Sequence, residues 1–355
     1  MLYFYKPTPA HQIENLHKYL DYFFVRLFGE VSLTYQHNIH IHPDFLECIN
    51  EYTVQLDDKL RAIFDAYKLL KKRDKNKVKS AYQKNNDIAA VCKKSVAPIK
   101  YGELPLTIRT PIESLYDNLW GDNKILGYSK VVEKCGTLKQ HFTNFRELNE
   151  FCVCPFCGLE SLICKSDDGK DDYDHYLPKS KYPFISVNFN NLLPMCHKCN
   201  SKSKGQDDTP YSKNPIRQRT LYFPLDDNTP NHEIKINIDS QDYDLSNPIT
   251  WKLNFLCKPS YNINKSQSWQ EVFKVEKRYK SILADESHIW KGWIIEKHRK
   301  MCKKNKIDYS IFQEVTIDDF SDIFNMDKGI LIDSFYKFVL NDPNCESYLT
   351  GNVIV

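Results

Sequence analysis

The sequence predicts an α+β chain, mainly helical, with a central metal-stapled unit and a small C-terminal strand pair. Three observations carry this. Apolar residues recur every three to four positions through much of residues 1–150. Two Cys-x-x-Cys pairs, Cys154/Cys157 and Cys196/Cys199, bracket a central segment. Two short stretches beyond residue 230 alternate apolar and polar side chains. The expected division is a helical region over 1–150, a cysteine-stapled core over 151–224 and a mixed strand and helix region over 225–355.

The chain has 355 residues, 41% hydrophobic and 27% charged, the balance of an ordinary globular protein. A net charge of +3 is too small to argue for a polyanionic partner by itself; only local clustering could. No apolar run approaches the roughly 20 residues of a membrane span. The start, MLYFYKPTPAHQ, has neither a basic leader nor a long apolar core, so no signal peptide and a cytoplasmic location are expected. Without a secretion signal, the twelve cysteines do not suggest a disulfide framework.

From the N-terminus, Ile13, Leu16, Leu20, Phe23, Phe24 and Leu27 fall on one helical stripe between His11 and Gly29. Pro43 sits where a helix begins, and Phe45, Ile49, Tyr52, Leu56, Leu60, Phe64 and Tyr67 continue the period. Thr110-Pro111-Ile112-Glu113 reads as a capping box with Pro at the first helical position, and Gly121 as the end of that helix. Thr137 is expected to start another. The basic run Lys68, Lys71, Lys72, Arg73, Lys75, Lys77 and Lys79 reads first as a solvated helix end, or else as a phosphate contact.

Beyond the central segment, Ile234, Ile236 and Ile238, then Trp251, Leu253, Phe255 and Cys257, mark two half-buried strands over 232–240 and 249–257. From Ser268 the period is helical again. Trp269, Val272, Phe273, Tyr279 and Ile282 make one apolar face; Ile289, Trp290, Trp293 and Ile294 make another, both expected in the core. Two short helices are expected near 317–325 and 330–341.

Cys-x-x-Cys in a tight turn places two thiolates on one tetrahedral ion, and Pro155 and Gly158 supply turn chemistry for the first pair. Two pairs 38 residues apart give a closed four-cysteine set, the structural kind of zinc site. It is complete without His197, Cys152 or Cys164. Between the pairs lie Asp174-His175, Asn191-Leu192 and, after Cys199, Asn200. His175 can act as a general base near neutral pH. Asp174 is a hard oxygen ligand suited to Mg²⁺ or Mn²⁺. Neighbours on a strand point to opposite faces, so the two share a site only if the strand ends or bends there, and Pro178 makes that plausible. Five lysines, 179, 181, 198, 202 and 204, and no acidic residue lie between Tyr176 and Gly205, a local charge that suits a phosphate backbone. Asp167, Asp168, Asp171 and Asp172 read as a solvated acidic turn.

Cys154, Cys157, Asp174-His175, Pro178-Lys179-Ser180, Asn191-Leu192, Pro194, Cys196, Cys199-Asn200 and Gly205 together resemble the HNH, or ββα-metal, endonucleases, in the subgroup with a structural zinc on four cysteines. The resemblance covers about 50 of the 355 residues. It implies a treble-clef-like ββα-metal core that hydrolyses phosphodiester bonds, DNA first among them, leaving 5′-phosphate and 3′-hydroxyl ends. It implies that His175 activates water, that Asp174 and Asn200 hold one catalytic Mg²⁺ or Mn²⁺, and that Asn191 braces the loop orienting His175. Lys179, Lys181, Lys202 and Lys204 would hold phosphates. Asn188 and Asn190 crowd Asn191 and could take its place. The family often has His where Asn200 stands; an amide oxygen still ligates a hard cation, so this departure bears on metal preference, and His197 is an alternative. Chains of this build also resemble bacterial anti-phage effectors that work with a separate ATPase or sensor. Two rival readings remain: a catalytically idle zinc-stapled nucleic-acid-binding module, and an RNA-cleaving toxin.

Overall fold

The computed structural model describes residues 2–29, 34–121, 123–163, 171–226, 233–239, 251–258, 262–321 and 326–350. Cys164, Asp167 and Asp168 lie outside them, as do 232, 240, 249, 250 and 322–325 of the expected strands and helix. The N-terminal region carries α1 (Asn15–Gly29), α2 (His37–His40), α3 (Leu46–Glu51), α4 (Asp58–Lys68), α5 (Lys72–Asn86), α6 (Ile88–Cys92), α7 (Leu106–Leu119), α8 (Ser129–Cys135) and α9 (Leu138–Leu148). The centre holds β1 (Asp172–His175) and β2 (Leu192–Met195), followed by a π-helical segment, Lys198–Lys204. Then come β3 (Glu233–Asp239), β4 (Lys252–Lys258), α10 (Ile263–Phe273), α11 (Val275–His298), α12 (Tyr309–Ser321), α13 (Gly329–Leu340) and α14 (Cys345–Thr350). The fold is mainly helical with two small antiparallel sheets, an α+β arrangement. Among the described residues no helix is long and apolar enough to cross a membrane.

The helical stripes behave as their periods require. All six apolar residues of the first stripe are buried, five of them on α1. Thr137 caps α9, accepting from Gln140 N while Gln140 Oε1 accepts from Thr137 N. Thr110 does not begin a helix. α7 starts four residues earlier, after Pro105, and carries Pro111 in its second turn. Pro111 leaves the Thr107 carbonyl without its helical donor, and Thr107 lies on the exposed side where water can serve. On α11, Trp290 and Ile294 are buried but Ile289 and Trp293 are 45% and 52% exposed, so the second apolar face there is only half in the core. β3 and β4 pair from Glu233↔Lys258 to Asp239↔Lys252, with Ile236, Ile238, Trp251 and Leu253 buried.

Two apolar clusters meet at the central segment. One joins α1, α3, α4, α5, α7 and α8 with Tyr173, Phe184, Val187, Phe189 and Leu192. The other joins Leu2, Tyr5 and α6 with the four cysteines, Leu193, Met195 and the C-terminal strands and helices. The β1–β2 register explains the split. Tyr173 and His175 share a face with their partners Pro194 and Leu192, toward the N-terminal helices; Asp174 and Leu193 take the other face.

Candidate metal centre and reactive cleft

The first cysteine pair lies in a turn closed by Gly158 N donating to Cys154 O at 2.7 Å and Cys157 N at 3.2 Å. Gly158 has φ +64, and a Cβ there would stand 2.5 Å from the Leu2 side chain, so only glycine fits. The second pair opens the π-helical segment, where Asn200 N bonds Cys196 O. All four sulfurs lie within 4.8 Å of one another and all four cysteines are buried. Cys154 and Cys199 Sγ are 4.0 Å apart, and Cys157 and Cys196 Sγ 3.8 Å. A tetrahedral zinc with bonds of about 2.3 Å needs sulfurs about 3.8 Å apart, so the cluster fits zinc and could bind it. Burial opposes charging Cys154 and Cys199, and a divalent cation among the four sulfurs is what would let them ionise together.

The C-terminal helices hold this cluster. Trp269 Nε1 donates to Phe156 O at 2.8 Å and Tyr279 Oη to Cys157 O at 2.7 Å, satisfying two carbonyls of the buried turn. Arg278 donates to Cys199 Sγ at 3.2 Å, a cation beside the thiolate set. Neither the tryptophan, the tyrosine nor the arginine is singled out as a support by local sequence, since each acts from more than 70 residues away.

β1 ends at His175, and this end lets neighbours share a site. Asp174, His175, Pro178, Lys179, Asn200 and Lys204 all line one cleft of about 380 Å³. The His175 ring is buried, with Nε2 2.9 Å from the Ser186 carbonyl. A carbonyl only accepts, so Nε2 carries the proton and Nδ1 is left with its lone pair. Burial pushes the His175 pKa down to about 3, with Lys179 and Lys204 adding to the shift and the Ser186 bond opposing it. The ring is therefore neutral at physiological pH; the burial that keeps it so also makes it a weaker base than a free imidazole, and its Nδ1 lone pair is the acceptor that remains. Trp120, just past α7, packs edge-on against it at 5.1 Å.

The loop that supplies Ser186 is fixed by the N-terminal helices. Phe184, at φ +78, is wedged among Phe24, Tyr82 and Tyr116. Ser186 Oγ donates to Tyr116 O, and Asn188 Nδ2 to Asn86 O. Asn191 is fully buried and clamps the turn after β1: its Oδ1 accepts from Leu177 N at 2.7 Å and its Nδ2 donates to Leu177 O at 3.0 Å. Asn191 thus acts on the backbone two residues beyond His175, while the ring itself is held by Ser186 and Trp120. Asn188 and Asn190 are drawn elsewhere, Asn188 to Asn86 and Asn190 into a local turn.

Asp174 is buried, and its surroundings differ from those its sequence neighbours suggest. Lys204 Nζ lies 2.9 Å from Oδ2 and 3.1 Å from Oδ1, with both side chains almost wholly buried. The Oδ1 contact has hydrogen-bond geometry, and the same ammonium holds Oδ2 as an ion pair. Burial raises the Asp174 pKa to about 6, and Lys204 offsets part of the shift. Lys204 is therefore not an exposed phosphate contact: the π-helical segment adds a residue to its turn, and the 204 side chain faces in. Asn200 is half-buried and donates to Asp172 Oδ2 at 3.2 Å; His197 bonds the same oxygen on the outer side. The Asp174 carboxylate and the Asn200 amide oxygen are hard donors on one cleft wall, the types that suit a divalent cation, and the Lys204 ammonium now occupies the carboxylate.

Charges around the cleft are sparser than the count of lysines suggests. Lys198 is paired with Glu160 at 2.6 Å and Lys204 with Asp174. Lys202 is exposed, Lys181 half-buried, and Lys179 half-buried with Asp117 4.0 Å away. Asp171 is not part of a solvated turn. It is buried, accepts from Ile163 N at 3.0 Å, and burial raises its pKa to about 6. Asp172 is exposed and faces His197 and Asn200.

No family model matches the chain, and no solved structure matches it significantly. Over 85 residues it is 36% identical to the Septu protein PtuB of Bacillus thuringiensis, a stretch that is 23% of this chain and 28% of that protein. Over 75 residues it is 36% identical to Protein ea31 of Escherichia phage lambda, 20% of this chain and 23% of that protein. The chain thus spans about a quarter of the length of these curated relatives.

Proposed function

We propose that the chain is a metal-dependent endonuclease with a ββα-metal core, acting on DNA, and that it serves in anti-phage defence. The observation that carries this is the state of His175: neutral, with Nε2 tied to Ser186 O and Nδ1 left to accept, in one cleft with Asp174 and Asn200. The order hairpin, cysteine pair, helix is the one such a core requires. The stretch shared with a Septu protein PtuB supports the defence role and a multi-protein setting, with a separate ATPase or sensor as the expected partner.

His175 Nδ1 takes the proton of a water molecule as its oxygen attacks the scissile phosphorus. Ser186 and Trp120 keep the ring in the tautomer and orientation for this. Asp174 and Asn200 would hold one Mg²⁺ or Mn²⁺, which when bound supplies positive charge to the phosphate as the transition state forms. The attacking oxygen stays on phosphorus, and the bond to the 3′-oxygen breaks with its electron pair on that oxygen, which takes a proton from solvent water, giving 5′-phosphate and 3′-hydroxyl ends. Lys179, Lys181 and Lys202 position the backbone without reading sequence. The four cysteines, once zinc-loaded, fix the distance between hairpin and helix and take no part in the chemistry.

The test is cleavage of supercoiled plasmid with Mg²⁺ or Mn²⁺. Cleavage by wild type that is lost in His175→Ala supports the reading. Binding without cleavage by either protein, with the partner present, returns the chain to an idle zinc-stapled binder. Cleavage of transfer RNA and not of plasmid moves the substrate to RNA.

A further inference from the structure

The proposed cation ligand already has a cation. Lys204 Nζ sits 2.9 and 3.1 Å from the two oxygens of Asp174, and the lysine side chain is 1% exposed. Lys202 on the same π-helical segment is exposed, and Lys198 is satisfied by a surface carboxylate. Lys204 alone of these three turns inward, and it does so onto the carboxylate that the catalytic ion would need. Gly205, at φ +51, ends the segment directly after it, with Gly205 N bonded to Asn200 O. The proposed second ligand, Asn200, and the competing ammonium are therefore carried by one short turn. A π-helical turn is rare and is frequently found at functional sites.

We propose that Lys204 is a resident counter-cation of the catalytic site, and that the divalent ion enters by exchange with it, turning the lysine out into the cleft. This rests on the nuclease reading and deepens it by naming how the metal is admitted. Two positive charges cannot share one buried carboxylate without strong repulsion in a low-dielectric site. An uncoordinated Asp174 would be a buried charge with no partner, so the lysine stabilises the metal-free fold and raises the metal concentration at which the site fills. After exchange, Nζ stays at the mouth of the same cleft, where a phosphate oxygen can take the place of Asp174.

The experiment is amine-reactive labelling of the full, zinc-loaded chain, read residue by residue by mass spectrometry across a Mn²⁺ titration. Bound Mn²⁺ is followed in parallel by electron paramagnetic resonance. Exposed Lys202 is the internal reference. Lys204 should be unreactive without Mn²⁺, and its labelling should rise at least about tenfold in step with Mn²⁺ occupancy. Lys204 that stays protected while Mn²⁺ is bound overturns the exchange and leaves the nuclease reading standing. Absence of any bound Mn²⁺ overturns both. As a second arm, Lys204→Met should bind Mn²⁺ at least about tenfold more tightly than wild type, since the competitor is gone. Weaker binding in a folded Lys204→Met chain contradicts the proposal, and if that variant does not fold the wild-type labelling still decides.

Discussion

The four-cysteine cluster and the His175 cleft belong to one stretch of about 50 residues, yet they are held from opposite sides. The C-terminal helices support the cysteines, through Trp269, Tyr279 and Arg278. The N-terminal helices support His175, through Trp120 and the loop wedged in by Phe184. Both sites are buried and polar, so burial does not tell a structural site from a reactive one. The partners do. Every ligand atom of the cysteine cluster points at one centre, with no route left for substrate. The cleft keeps one acceptor free on His175, holds the Asp174 carboxylate against the Lys204 ammonium, and opens to solvent. The hairpin lies between, with alternate residues committed to different cores.

If this contrast is right, the two sites should fail separately. The largest effect should come from the cluster. Cys199→Ser, or stripping with a strong chelator, removes a contribution on the order of 10 kcal/mol. It should abolish the zinc, expected at about one per chain by elemental analysis, and unfold the central segment by circular dichroism. A folded, zinc-free chain would contradict zinc binding at the four-cysteine cluster. Next comes the other side. Phe184→Ala empties a core position and should cost about 3–5 kcal/mol in chemical denaturation. Zinc stoichiometry should not change, because no cysteine leans on Phe184. Loss of zinc with Phe184→Ala would mean that the two supports are one.

Asp171 gives a pH test at the seam. Its folded pKa of about 6 lies above the ordinary carboxyl value, so the folded chain holds this proton more tightly than the unfolded one. The group's stabilising contribution is full below about pH 4 and is lost as pH rises through 6. Asp171→Asn keeps an oxygen for Ile163 N and carries no charge. It should be more stable than wild type by about 2 kcal/mol at pH 7–8, after allowance for solvent screening, and match it near pH 4. A constant difference across that range would show that the carboxyl is not buried as described. The smallest effect is electrostatic. Lys71, Lys72 and Arg73 are exposed at the start of α5. Their replacement by Gln should leave stability alone, weaken DNA binding and flatten its salt slope by up to about 3. Unchanged binding would make this run ordinary solvated surface.

Much of the fold was legible because periodicity and cysteine spacing are local signals. The α1 stripe, the Thr137 cap, the alternation within β3 and β4 and each Cys-x-x-Cys pair all follow from residues a few positions apart. The site was legible only as far as identity goes. Asp174, His175 and Asn200 meet in one cleft, but Ser186 acts through a backbone carbonyl, which any residue could supply, and Trp120 through a packing contact 55 positions away. Lys204 faces inward onto Asp174, which a charge count does not reveal, because it does not say which lysine of the π-helical segment turns inward. α7 starts earlier than Thr110-Pro111 suggests, because that pair carries the chemistry of a cap inside a helix that begins at Leu106.

The central claim is that His175 does chemistry while the cysteines hold shape. It is tested most directly by plasmid cleavage with one preparation of His175→Ala whose zinc content and melting temperature match wild type. The account predicts a rate at least about 100-fold below wild type in the presence of Mn²⁺, as for removal of a general base. Cleavage at the wild-type rate by that zinc-loaded, folded variant would contradict it.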